Sequence, residues 1–191
     1  MKGKSGKRSR SGHPRTQAVA LLLAQVLMAV PLPMLAAGGK NVYLHGALVA
    51  EPCVIPPGNE EILLDFGTII DKYLYLSTRT LGQTFEIHLE ECDLTLGKTV
   101  SVTFTGTENS ALPGLLALDG GSAATGIAIG LETPSAQPLL LNQASDKLLL
   151  QAGSNSIALK AYVQGEPDAL RDQSIERGPF SAVATFHLEY E

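Results

Sequence analysis

The sequence predicts an all-β domain, built as a sandwich or a barrel, on three observations. Beyond residue 40 the dominant hydrophobic period is two rather than 3.6. The apolar runs are short and separated by turn formers, among them Pro56-Pro57-Gly58-Asn59, Thr105-Gly106-Thr107, Asp119-Gly120-Gly121, Thr133-Pro134-Ser135 and Ala152-Gly153-Ser154-Asn155. One stretch alone, residues 166–171, reads as helix, a single turn that starts at Pro167.

Taken in order, the runs assign faces. In 41–50, Val42, Leu44, Gly46, Leu48 and Ala50 share one side. Residues 84–90 turn Phe85, Ile87 and Leu89 inward and Glu86, His88 and Glu90 outward. Residues 99–105 set Val100, Val102 and Phe104 against threonine and serine. Residues 126–131 group Ile127, Ile129 and Leu131, and residues 156–163 group Ile157, Leu159, Ala161 and Val163. Residues 180–190 group Phe180, Ala182, Ala184, Phe186, Leu188 and Tyr190. The apolar runs 62–66 and 147–150 read as short strands or strand ends, and Leu112-Pro113-Gly114 as a loop. The first strand-like run stands off from the next behind Pro52 and Pro56-Pro57, with no hairpin partner in sequence. An unattached strand at one end and a terminal strand at the other suit pairing between chains.

Residues 1–17 hold six cations, Lys2, Lys4, Lys7, Arg8, Arg10 and Arg15, and no acid. An apolar run over 18–30 follows, then Pro31, Pro33 and the small residues Ala36, Ala37, Gly38 and Gly39. This is the pattern of a secretory signal peptide; a spanning helix needs about 20 apolar residues. The expected organisation is a signal peptide over 1–38, an N-terminal extension over 39–52 and a domain over 53–191, with cleavage near Gly39 or Lys40. Without the leader, all 19 acids face 8 of the 14 Lys and Arg, a net charge near −11. That charge argues against nucleic acid as a partner and against direct lipid binding. The two cysteines, Cys53 and Cys92, form one disulfide in an exported chain. Its closed loop is worth about 4 kcal/mol in the loop-entropy view.

Gly178 is fourteenth from the end and Tyr190 penultimate, with alternating apolar residues between them through Ala182-Val183-Ala184-Thr185-Phe186-His187-Leu188-Glu189-Tyr190. Together with Val42, Leu44, Gly46 and Leu48 near the start, the Cys53/Cys92 pair, and Ala161-Tyr162-Val163 followed by Pro167 and Ala169-Leu170-Arg171, this ending resembles the chaperone–usher pilins, and among them the minor and adaptor subunits of P pili. The resemblance spans nearly all of the mature chain. It implies an incomplete immunoglobulin-like sandwich, the pilin fold, that lacks its last strand and carries an N-terminal donor strand. It implies Val42, Leu44, Gly46 and Leu48 as that donor strand, with Gly46 at a shallow point of the acceptor groove. It implies Cys53–Cys92 as the family disulfide. Gly178, Phe180, Phe186, Leu188, Tyr190 and Glu191 become the C-terminal strand that a periplasmic chaperone grips, with the final carboxylate held by chaperone cations. The implied partners are that chaperone, an outer-membrane usher and neighbouring pilin subunits, and the implied destination is a cell-surface fimbrium reached through the periplasm.

Catalysis has no support in the residues. His45, His88 and His187 lie on different strands, and none has a His or Cys at metal-ligand spacing. There is no Gly-x-Ser-x-Gly elbow and no glycine-rich phosphate loop before a helix. Glu90, Glu91 and Asp93 beside Cys92 read as a solvated strand end, against the alternatives of a cation site or an acid/base pair. No enzyme activity, cofactor or metal is expected. A structural subunit, in an adaptor, tip-fibre or minor rod position, is the leading reading. The alternatives are a fibre-terminating anchor with an occluded groove and a single-domain receptor-binding adhesin.

Overall fold

The computed structural model describes residues 42–191. The signal peptide read over 1–38 and the first residues of the extension lie outside the described residues. The chain divides into two units, residues 1–45 and 46–191. In the first, residues 42–45 carry no regular secondary structure.

The second unit holds two antiparallel sheets. One runs in the order β1 (Gln83–Cys92), β6 (Gly153–Gly165), β3 (Ile127–Glu132), β4 (Pro138–Leu139). The other runs in the order β5 (Leu148–Leu149), β2 (Thr99–Thr105), β7 (Thr185–Tyr190). Two short helices, α1 (Asp71–Ser77) and α2 (Pro167–Asp172), complete the element order. Alternation in sequence becomes alternation in burial: Ile87 and Leu89 of β1, Val100 and Val102 of β2 and Val163 of β6 are buried completely and hold the sheets face to face. The inward sets read from the sequence for β1, β2, β3 and β6 are in this core, with Phe85 half-buried against it.

Four features differ from the sequence expectation. Strand β3 is buried on both sides, Ala128, Gly130 and Glu132 included. Its outer face is roofed by Arg79, which donates to Glu132 at 2.8 Å and lies 4.2 Å over the Tyr162 ring. Next, α1 is a second helix, although the sequence reads as helix only over 166–171. Tertiary partners decide it: Leu74 is its one buried anchor, the Tyr75 hydroxyl accepts from the Ile175 N–H, and Arg177 binds Asp71 in the first turn. Third, the ladder expected over 180–190 starts only at Thr185. Upstream, Pro179 and Ser181 use their carbonyls on the N–H groups of Ala123 and Asp119, which belong to a loop rather than a strand. Fourth, residues 46–50 and 62–66 pair with no strand among the described residues.

Candidate functional site

The last strand sits at the edge of its sheet, and its register says which groups face the open side. Glu191 and Thr99 exchange both main-chain hydrogen bonds, at 3.0 and 2.9 Å. In an antiparallel ladder such bonded pairs recur every second residue, so Glu189, His187 and Thr185 also point their N–H and C=O groups at β2, opposite Ser101, Thr103 and Thr105. Phe186, Leu188 and Tyr190 therefore point theirs away from β2, to an edge with no strand beside it among the described residues. The side chains of these same three residues pack against the core yet are only half-buried, as are Phe180, Ala182 and Ala184 upstream.

A second line of half-buried apolar side chains faces the same core. Ile62, Leu64 and Phe66 turn inward while Leu63 and Asp65 turn out. The disulfide Cys53–Cys92 and the Val54/Glu90 main-chain pair, at 2.8 and 2.9 Å, pin the start of this segment to β1. Phe66 meets Phe180 with ring centroids 6.2 Å apart. At the other end the Glu51 carboxylate acts on the Tyr190 phenol, whose pKa is raised first by burial and then by that charge. The segment 51–66 thus runs antiparallel to 180–190. Yet residues 60–69 make no main-chain to main-chain hydrogen bond among the described residues. Two walls share one core floor, and no ladder joins them among the described residues. The arrangement is an apolar groove with an unsatisfied strand edge along one side.

The sequence-predicted residues fall as follows. Phe180, Phe186, Leu188 and Tyr190 form one wall of this groove. Glu191 closes its end, with its carbonyl accepting from the Lys98 and Thr99 N–H groups and its side chain paired with Lys147. Gly178 permits a close approach: a Cβ there would lie 2.6 Å from that of Ala123. Val42, Leu44 and Leu48 are exposed, and no atom stands within 4 Å of the Cβ position of Gly46. The second wall, Ile62, Leu64 and Phe66, was not singled out as a site in the sequence, although its alternation was visible there.

Elsewhere the chemistry is plain. His45, His88 and His187 are exposed, and among the described residues no three His, Cys, Asp or Glu gather as metal ligands. Asp93 accepts from the Thr95 N–H and hydroxyl at 2.8 and 2.7 Å, and those bonds, the main-chain one first, hold its carboxyl below the usual range. Glu90 and Glu91 are solvated.

Two packed antiparallel sheets with an apolar groove at an open edge define a protein one strand short of a closed sandwich. Comparison with known proteins supplies the class. The family model described as fimbrial protein matches residues 42–191, and the chain belongs to that family of pilus subunits. It is 31% identical over 154 residues to the Fimbria A protein of Serratia marcescens, covering 81% of this chain and 86% of that one. It is 34% identical over 157 residues to the fimbrial adapter PapK of Escherichia coli, covering 79% and 88%. The crystal structure of the P pilus rod subunit PapA superposes with a TM-score of 0.64 at 25% identity, covering 74% of this chain and all of the other.

Proposed function

We propose that this subunit polymerises by strand exchange. A neighbour's N-terminal strand fills the groove between 62–66 and β7, and this chain's own Val42, Leu44, Gly46 and Leu48 fill the groove of the next subunit. The observation that carries the reading is the outward-facing main chain of Phe186, Leu188 and Tyr190 above half-buried apolar side chains. An added strand satisfies those N–H and C=O groups. Its Val and Leu side chains contribute about 1.5–3 kcal/mol each when fully buried. Gly46 costs strand propensity, and in exchange lets two backbones approach closely.

Until a neighbour arrives, a periplasmic chaperone occupies the same edge, and an outer-membrane usher orders the exchange at the cell surface. The role is that of an adaptor, tip-fibre or minor rod subunit, and the groove takes no part in catalysis. The test uses the chaperone-bound subunit and peptides matching residues 40–50 of this chain and of candidate neighbours. Release of chaperone with capture of peptide is the expected outcome. Failure with every peptide overturns the open-groove reading and leaves a fibre-terminating anchor.

A further inference from the structure

We infer that the apolar cleft at the Phe180 end of the groove docks the pilin domain of the donating subunit, so that two copies are joined by a body contact as well as a strand; this rests on the strand-exchange reading above. The cleft, about 440 Å3, is lined by Phe66, Ile69, Ile70, Tyr73 and Leu81 among others, with no Asp, Glu, Lys or Arg in its wall. Ile70 and Leu81 are 64% and 80% exposed. Large apolar side chains gathered on the surface of an acidic domain mark a contact site.

Position identifies the occupant. Phe66 lines the cleft and also meets Phe180 across the groove, so the two are continuous. Every pairing in the β5-β2-β7 sheet is antiparallel, and the antiparallel ladder is the more stable kind. A strand added to β7 in that sense enters beside Tyr190 and leaves beside Phe180. The donor's disulfide at Cys53 follows Leu48 by five residues, a span of at most about 18 Å. The donor's domain therefore emerges next to the cleft and has no slack to sit far from it. The opposite end of the groove is charged, bordered by Glu51, Lys98, Lys147 and Glu191.

The test is the double variant Ile70→Glu/Leu81→Glu as acceptor, held by its chaperone and offered either a peptide of residues 40–50 or an intact second copy. Peptide exchange should stay within about twofold of the unaltered protein, while addition of the intact copy should slow by about tenfold. Equal rates with the intact copy overturn the body contact, and so does a matching loss with the peptide, which would make the cleft part of the groove. Leu149→Glu, at a position 83% exposed on β5, across β2 from β7 and outside the cleft, should behave as the unaltered protein; an equal slowing there also overturns the proposal. If the unaltered acceptor takes neither this peptide nor that of any candidate neighbour, the strand-exchange reading fails first and the body contact falls with it; if it takes a neighbour's peptide but not its own, docking by a second copy is overturned while strand exchange stands.

Discussion

Two glycines do opposite jobs, and single substitutions separate them. Gly46 has open space around it in its own chain, so Gly46→Leu should leave the domain's stability within about 0.5 kcal/mol. Fibre assembly by that variant should nevertheless stop, because the new side chain meets the neighbour's groove; normal fibres in electron micrographs would refute the donor assignment. Gly130 lies under the ring of Tyr162, which is itself buried and covered by Arg79. Gly130→Ala should destabilise a donor-complemented domain by about 1–3 kcal/mol through overpacking, read as a lower urea midpoint. Asp71 carries a pH-dependent effect. Its carboxyl is held below its ordinary value of 3.8, chiefly by the hydrogen bond from Arg177. A lowered carboxylate stabilises fully above its unfolded value and ceases to do so as pH falls through the folded one. Asp71→Asn should thus lower the melting temperature at neutral pH, with the difference closing as the pH drops below 3.8; a gap that persists in acid would mean Asp71 acts through packing instead.

At the scale of the strand, β7 is half a ladder. His187 and Glu189 have their main-chain groups on β2 by register, whereas Phe186, Leu188 and Tyr190 face the open edge. In a domain completed by a tethered donor strand, amide exchange should be slow along the whole of β7. With Gly46→Leu in the tethered donor, the amides of residues 186, 188 and 190 should exchange fast while those of 187 and 189 remain protected. Uniform protection in both would mean that the edge is satisfied from within the chain. The wall opposite, 62–66, has the residue pattern of a strand but lacks the partner, which is why it stays extended and unbonded.

For the whole molecule, the open groove sets solubility. Six half-buried apolar residues of one wall and three of the other surround a floor that no strand covers among the described residues. Residues 53–191 expressed alone should aggregate, and a segment of residues 40–50 fused behind Glu191 should yield a soluble monomer. A lone domain that runs as a stable monomer on gel filtration would contradict the need for a borrowed strand. The disulfide supports the same site from outside: Cys53, bonded to Cys92 of β1, lies at the start of the wall opposite β7.

The amino-acid sequence alone specified the β class, the inward sets of β1, β2, β3 and β6, the turn of α2 and the Cys53–Cys92 bond, because alternation, Pro at a helix start and a single pair of cysteines act locally or by simple count. It also displayed the alternation of 180–190 and 42–48, which is a property of a strand whether or not a partner is present. Only the tertiary structure decided that β7 is an edge, that 62–66 stands opposite it without a ladder, and that Arg79 and Tyr162 cover the outer face of β3. It likewise made 71–77 a helix through contacts with Ile175 and Arg177, about a hundred residues away in the chain. A period of two tells which face of a strand is wet, and is silent about which neighbour is missing, since pairing is a relation between distant segments rather than a property of either one.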